Sequence, residues 1–337
     1  MTDKKTRTAP ETPQPERETP GAEPVSSSGV SADGRPVVDD DQVVARSLSA
    51  DAFRSLKRNP LFWVSSVLVL MFLLMAAWPS LFTNQDPHYG VLSRAMQSPS
   101  TEHWFGTDRQ GYDIYSRVVY GARASILVGV FAASGALVLG SIMGLLAGYV
   151  SGWADALVSR VADIFFAIPL LLAGIIFLAA MREEDTIFGV PIQGYFGVIF
   201  QVVLVLVIFG WPSIMRLMRS SVLQVKPNDY VQAARALGAS PMRITRRHIL
   251  PNAMAPVIAV STINLGAYIS VEATLSYLGI GLRPPTVSWG VMITDAQIAL
   301  RTEPYILFFP ALFLSLAVLA FIMLGDSVRD AFDPKSR

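Results

Sequence analysis

The sequence predicts an all-α, polytopic membrane protein with six transmembrane helices and both termini in the cytoplasm. Three observations carry that expectation. Only 16% of the 337 residues are charged while 52% are apolar, whereas a soluble domain carries roughly a quarter of its residues charged. Six long intervals lack any Asp, Glu, Lys or Arg: Leu61–Gln85, Ala124–Ala154, Ile164–Met181, Thr186–Met215, Ile249–Val271 and Pro304–Gly325. A helix needs about 20 mostly apolar residues to cross the hydrocarbon core, so each interval reads as a span. Lys and Arg are then unevenly shared, with 15 beside the spans on the N-terminal side and 7 on the other. The basic side faces the cytoplasm. A soluble protein with a few buried core helices does not fit the number and length of these intervals.

Taken in order, residues 1–45 are rich in Pro, Thr, Ser, Glu and Asp. They cannot bury enough apolar surface to offset their ordering entropy and read as a disordered cytoplasmic tail. The first apolar run starts far from Met1, behind an acidic stretch, unlike a cleaved signal peptide. Residues 46–120 hold a short amphipathic helix, the first span and an extracytoplasmic segment. In the helix, Ala52, Phe53 and Leu56 oppose Arg54, Lys57 and Arg58 before Pro60. Residues 121–326 form a five-helix domain, and 327–337 a cytoplasmic C-terminus.

The second span places Ala132, Ala136, Gly140, Gly144 and Gly148 at four-residue spacing. Such a small-residue stripe lets another helix approach closely. Pro169, Pro256 and Pro310 fall within spans three, five and six, where each removes a backbone hydrogen bond and predicts a bend. Asp155, Arg160 and Asp163 read as an interfacial charge cluster.

The segment 216–250, between spans four and five, is the most informative. Asn228 and Asp229 form an N-cap and an acidic first turn. Tyr230, Ala233, Ala234 and Leu237 occupy one apolar face of a two-turn helix. Gly238 sits where a left-handed residue would end it. Ser240-Pro241 then caps a second helix carrying Arg243, Arg246, Arg247 and His248, which is expected to stop before Pro251. A nucleic-acid patch would need aromatic platforms that the segment lacks. A helix resting on lipid headgroups remains a competing reading. The small face and the fixed turn favour a docking element for a cytoplasmic partner.

Absent motifs narrow the function. With no Cys, the chain has no disulfide framework, thiolate metal site or thiol nucleophile. There is no G-x-x-x-x-G-K-[ST], no G-x-S-x-G and no H-E-x-x-H. No catalytic, cofactor-binding or metal-binding residue is expected. The lack of an internal repeat weakens the alternative of an ion-coupled secondary transporter.

The run Tyr230–Ser240 with Arg247–Asn252 resembles the coupling loop of ABC importer permeases. More narrowly, the chain resembles the C-type permease of dipeptide and oligopeptide importers, from about residue 50 to the C-terminus. Phe105–Asp113, Tyr120–Ser125, Glu272–Leu282, Pro284–Gly290 and Leu324–Asp330 carry the likeness alongside the loop. Gln232 stands where the family usually has Glu, and His248 where the wider superfamily tends to have Ile.

The resemblance implies a type I importer fold and a multi-pass protein of a prokaryotic cell membrane. It implies a second, B-type permease, two ATPase subunits holding ATP and Mg, and an extracytoplasmic peptide-binding protein. No nucleic acid is expected among the partners, which also include membrane lipid. Tyr230, Gln232, Ala233, Ala234, Leu237, Gly238, Ser240 and Arg243 would dock the ATPase. Glu272, Ser276 and Tyr277, near the outer end of span five, would either meet a peptide or pin the outer loop; pinning fits better. Nickel or another small solute is the alternative cargo.

Overall fold

The computed structural model describes residues 56–332 apart from 183, 185 and 188. The tail 1–45, most of the amphipathic helix and the last five residues lie outside the described residues. Helix α1 spans Pro60–Ala77, opened by Asn59, whose Oδ1 accepts from the Leu61 amide at 2.9 Å. Helix α2 spans Ile114–Val150 and is capped by Asp113, which accepts from the Ser116 amide at 2.7 Å. Then come α3 (Trp153–Ala167), α4 (Leu170–Met181) and α5 (Gly194–Val225). The helix α6 covers Asp229–Ala236 and α7 covers Pro241–Ile244; a π-turn, Thr245–Ile249, leads into α8 (Leu250–Tyr277). Helix α9 is Trp289–Ala296 and α10 is Tyr305–Phe332. The extended structure is a two-residue-per-strand hairpin, β1 (Thr186–Ile187) with β2 (Val190–Pro191), plus isolated bridges in 90–113.

The architecture is all-helical and polytopic. Among the described residues, five helices or helix runs are long and apolar enough to cross a membrane, and α3 with α4 makes a sixth if that bent pair is one span. The pair turns through 83° at Ile168 and Pro169, at the proline where the sequence predicts a bend in the third span. The cause is local. Ile168 is extended, with φ −96° and ψ 118°, because a following proline disfavours the helical region. Pro256 and Pro310 do not interrupt their helices, and neither does Pro212.

Helix α2 lies against α5 along the small-residue stripe. A Cβ built on Gly144 would sit 2.5 Å from the Met215 carbonyl oxygen, and one on Gly148 would sit 2.9 Å from Val222 Cβ. The two backbones meet because those side chains are missing. Further along the stripe, Ala132 and Ala136 are buried with Val202, Val205 and Leu206. Helix α1 joins from the side, where Phe72 meets Trp289 and Phe313 edge-on at 5.7 and 6.3 Å. The segments 78–113 and 278–304 cover one end of the bundle. Arg117 and Asp108 pair there at 2.5 Å, and His103 Nδ1 lies 2.9 Å from Asp113 Oδ1. The basic loop 226–249 occupies the opposite end.

Candidate functional site

The loop at the basic end is a helix, a glycine turn and a second helix, as its sequence predicts. Gly238 takes φ +78°, and a Cβ there would meet nothing within 4 Å. The turn is held by two backbone bonds: Gly238 N–H to Arg235 C=O (3.0 Å) and Ala239 N–H to Ala234 C=O (3.1 Å). That pair is a Schellman closure, with the left-handed residue at C′. The N-cap expectation needs correcting. Asn228 and Ser240 occupy the cap positions with extended backbone, but neither side chain caps its helix. Asn228 Nδ2 donates instead to the Tyr230 hydroxyl at 3.2 Å.

The second helix also differs from expectation, because it does not stop before Pro251. Helix α7 passes through the π-turn, in which the Leu250 amide bonds to the Thr245 carbonyl, straight into α8. Pro251 directly follows that wider π-turn bond and the chain stays helical through it. The loop is thereby continuous with a span.

Its residues divide by burial. Val231, Ile244 and Ile249 are buried with Ile214, Met218, Val222, Ala253 and Val257. Burial of each such side chain contributes about 1.5–3 kcal/mol, which fastens α6 and α7 to the ends of α5 and α8. Tyr230, Gln232, Ala233, Leu237, Gly238, Ser240 and Arg243 are exposed, with Leu237 87% accessible. Ala234, read from sequence as part of the exposed face, is half-buried and packs on the underlying cluster. The outward face is centred on Tyr230, Ala233 and Leu237, and Met242 adds a further exposed apolar side chain (68%). The Tyr230 ring lies 6.3 Å from that of His248.

At the covered end, Glu272 is fully buried. Its Oε1 accepts from Ser276 Oγ (2.8 Å) and Ser288 Oγ (3.2 Å). Ser276 Oγ accepts in turn from the Leu282 amide at 2.9 Å, and Ser288 caps α9. This network ties 278–288 back onto α8, so Glu272 and Ser276 pin the loop. Tyr277 stands apart from it and is exposed.

Sequence reasoning missed the root of the loop. Gln232 Nε2 donates to the Lys226 carbonyl at 3.2 Å; a Glu, acceptor only when ionised, could not make this bond. The proposed charge cluster is also redistributed. Asp155 and Asp163 pair with Arg219 and Arg216 of α5, not with Arg160. The only available signal was the spacing of Arg216, Arg219 and Lys226, which share a helix face. Among the described residues, no three His, Asp or Glu side chains cluster as metal ligands would.

Residues 136–337 match the family described as "Binding-protein-dependent transport system inner membrane component", and residues 47–100 match the "N-terminal TM domain of oligopeptide transport permease C". The chain is 39% identical to the dipeptide transport system permease DppC of Alkalihalophilus pseudofirmus, over 88% of this chain and 93% of that one. It is 37% identical to the oligopeptide transport system permease OppC of Bacillus subtilis, over 89% and 94%. It is 34% identical to the glutathione transport system permease GsiD of Pectobacterium atrosepticum, over 89% and 95%. Among solved structures, the MetNI methionine ABC transporter in an inward-facing conformation has a chain with the same fold. The match covers 64% of this chain and 96% of that one at 21% identity, with a TM-score of 0.52. The family match and the curated relatives make this chain a multi-pass transport component of the bacterial inner membrane and not an enzyme, working generically with an ATPase, a binding protein and a partner permease. The chain belongs to the family of binding-protein-dependent ABC transport permeases, in its OppC/DppC-type branch.

Proposed function

We propose that this chain forms one half of the translocation pathway of an ATP-driven di- or oligopeptide importer, and that its loop 228–250 docks an ATPase subunit. The observation that carries the docking is the split of the loop by burial. Val231, Ile244 and Ile249 anchor it, while Tyr230, Ala233 and Leu237 face outward on a helix whose end is locked by Gly238. Small and apolar side chains on a rigid support suit a protein groove: they allow close backbone approach and lose little entropy on docking. A helix floating on headgroups would need no locked turn. The second permease of the pair, of B-type, would complete the pathway, and two ATPase subunits would hold ATP and Mg.

The named solutes of the three relatives are dipeptides, oligopeptides and glutathione, all peptides, which supports a peptide cargo here. Delivery would fall to a peptide-binding protein at the covered end. Glu272 and Ser276 then act as structural pins of the outer loop, leaving Tyr277 as the exposed member of that group. The test is purification of the tagged chain from its native membrane. ATPase and peptide-binding subunits should accompany it, and vesicles made from that membrane should accumulate radiolabelled dialanine only when supplied with ATP. Accumulation driven by an ion gradient without ATP would overturn the reading.

A further inference from the structure

Three cations on α5 and its end reach across to neighbouring helices at the basic end. Arg216 Nη2 donates to Asp163 Oδ1 at 2.7 Å, and its guanidinium lies 4.0 Å from the centre of the Phe166 ring. Arg219 forks onto Asp155, with Nε to Oδ1 at 2.5 Å and Nη2 to Oδ2 at 2.7 Å. Lys226 Nζ donates to the Tyr149 carbonyl (2.8 Å) and Ser151 Oγ (3.0 Å), with the Gly148 carbonyl at 3.4 Å. The first two pairs hold α3. Lys226 alone of the three holds the end of α2.

The chemistry of that third contact is specific. The Gly148 and Tyr149 carbonyls belong to the last turn of α2, where no later amide can close an intrahelical bond. An ammonium there satisfies them and meets the negative end of the helix dipole. The main chain of Lys226 faces the other way, since its carbonyl accepts from Gln232 Nε2 on α6. One residue therefore grips α6 with its backbone and the α2 terminus with its side chain. Asp155 and Asp163 lie on α3, which ends at the 83° break beside Pro169.

A push on α6 thus has two routes into the membrane. One runs along the chain through α7 and the π-turn into α8. The other crosses Lys226 into the α2–α3 corner, next to the break. We propose that Lys226 is a positioning residue that carries the motion of the docking helix into α2 and α3, so that α6 and this corner move as one body. This rests on the docking of loop 228–250 to an ATPase.

Because the chain has no Cys of its own, two labels can be placed on it in the full transporter complex purified from its native membrane, once accessible cysteines of the other subunits are replaced. Spin labels at Asp229→Cys on α6 and Trp153→Cys on α3 report the distance between the two elements, without nucleotide and with ADP–vanadate trapped. With Lys226 present, that distance should be the same in both states. In Lys226→Met, trapping should add a shift of about 2 Å, the size of helix displacements in switching proteins. ATPase should still co-purify, while dialanine uptake per ATP hydrolysed should fall about tenfold, the scale for losing a set of charge-assisted hydrogen bonds. Lys226→Arg, which keeps the charge and the donors, should restore both. If Lys226→Met does not accumulate, Ser151→Ala should show the same shift at smaller amplitude. Unchanged distances and unchanged uptake per ATP in Lys226→Met, or in Ser151→Ala where it takes that place, would overturn the proposal. Failure of ATPase to co-purify with the chain carrying Lys226 would instead overturn the docking itself, and this inference with it.

Discussion

The Ala239 amide donates to the Ala234 carbonyl at 3.1 Å across Gly238, whose φ is +78°. These two alanines fix the direction in which α6 leaves the bundle. The bond satisfies a carbonyl at the end of α6 and needs a residue tolerant of the left-handed region between its partners. Because α7 continues through the π-turn into α8, the orientation of the exposed face is set against a span and not by the loop alone.

A first prediction concerns topology. A cysteine at Leu92, 78% exposed, should react with an impermeant maleimide added outside intact cells. One at Met242, 68% exposed, should react only after the membrane is opened. Outside labelling at 242 would reverse the orientation drawn from Lys and Arg.

The second concerns the pin at Glu272. Glu272→Ala leaves the Ser276 and Ser288 hydroxyls without their shared acceptor and opens a cavity, and should cost about 2–4 kcal/mol. Glu272→Gln keeps one acceptor oxygen and should cost about 1 kcal/mol or less. Thermal unfolding of the purified complex should rank them so. Equal losses would mean that the negative charge, rather than the acceptor, holds the loop.

In a third, overpacking the stripe should separate α2 from α5. Gly144→Leu meets the Met215 carbonyl and Met218 and should destabilise by about 3 kcal/mol or more. Leu146→Ile, on an exposed face of the same helix, should be nearly neutral. Thermal unfolding of both variants in detergent decides it, and a neutral Gly144→Leu would contradict the close approach.

Fourth, Arg219→Gln should be mildly destabilising, although sequence alone places Arg219 outside the helix pair, where its loss would be expected to matter little. It removes both guanidinium bonds to Asp155 and leaves that carboxylate the Ser159 hydroxyl, at 3.2 Å. A double-mutant cycle with Asp155→Asn should give a coupling of about 1 kcal/mol. Additive effects would place the pair among those that contribute nothing.

The spans were legible because burial in lipid forbids charge, and the gaps beginning at Leu61, Ala124 and Pro304 mark that directly. The Gly238 turn was legible because one residue type solves its geometry. What the local sequence left hidden depends on partners distant in the chain. Lys226 before Pro227 looks like an ordinary solvated helix end, yet its acceptors are 75 to 78 residues away. Pro251 looks like a stop, but it directly follows the wider π-turn bond and the chain stays helical through it. Ala234 has the right period for the exposed face, but α6 is rotated to bury Val231 and half-bury Ala234.

The docking role of loop 228–250 is tested most directly by the amount of ATPase subunit that co-purifies with the tagged chain. Gly238→Val strains the turn by of order 1–2 kcal/mol, small beside the packing of the spans, and redirects the face. Ala233→Glu places bulk and a charge on the face itself, at an exposed position that leaves the buried anchors alone. Both variants should reach the membrane at normal levels and retain about a tenth or less of the ATPase, as a hot-spot loss would give. Arg301→Gln, exposed at the opposite end, should retain all of it. Full ATPase recovery with both loop variants would contradict docking through this face and leave α6 as a helix resting on lipid.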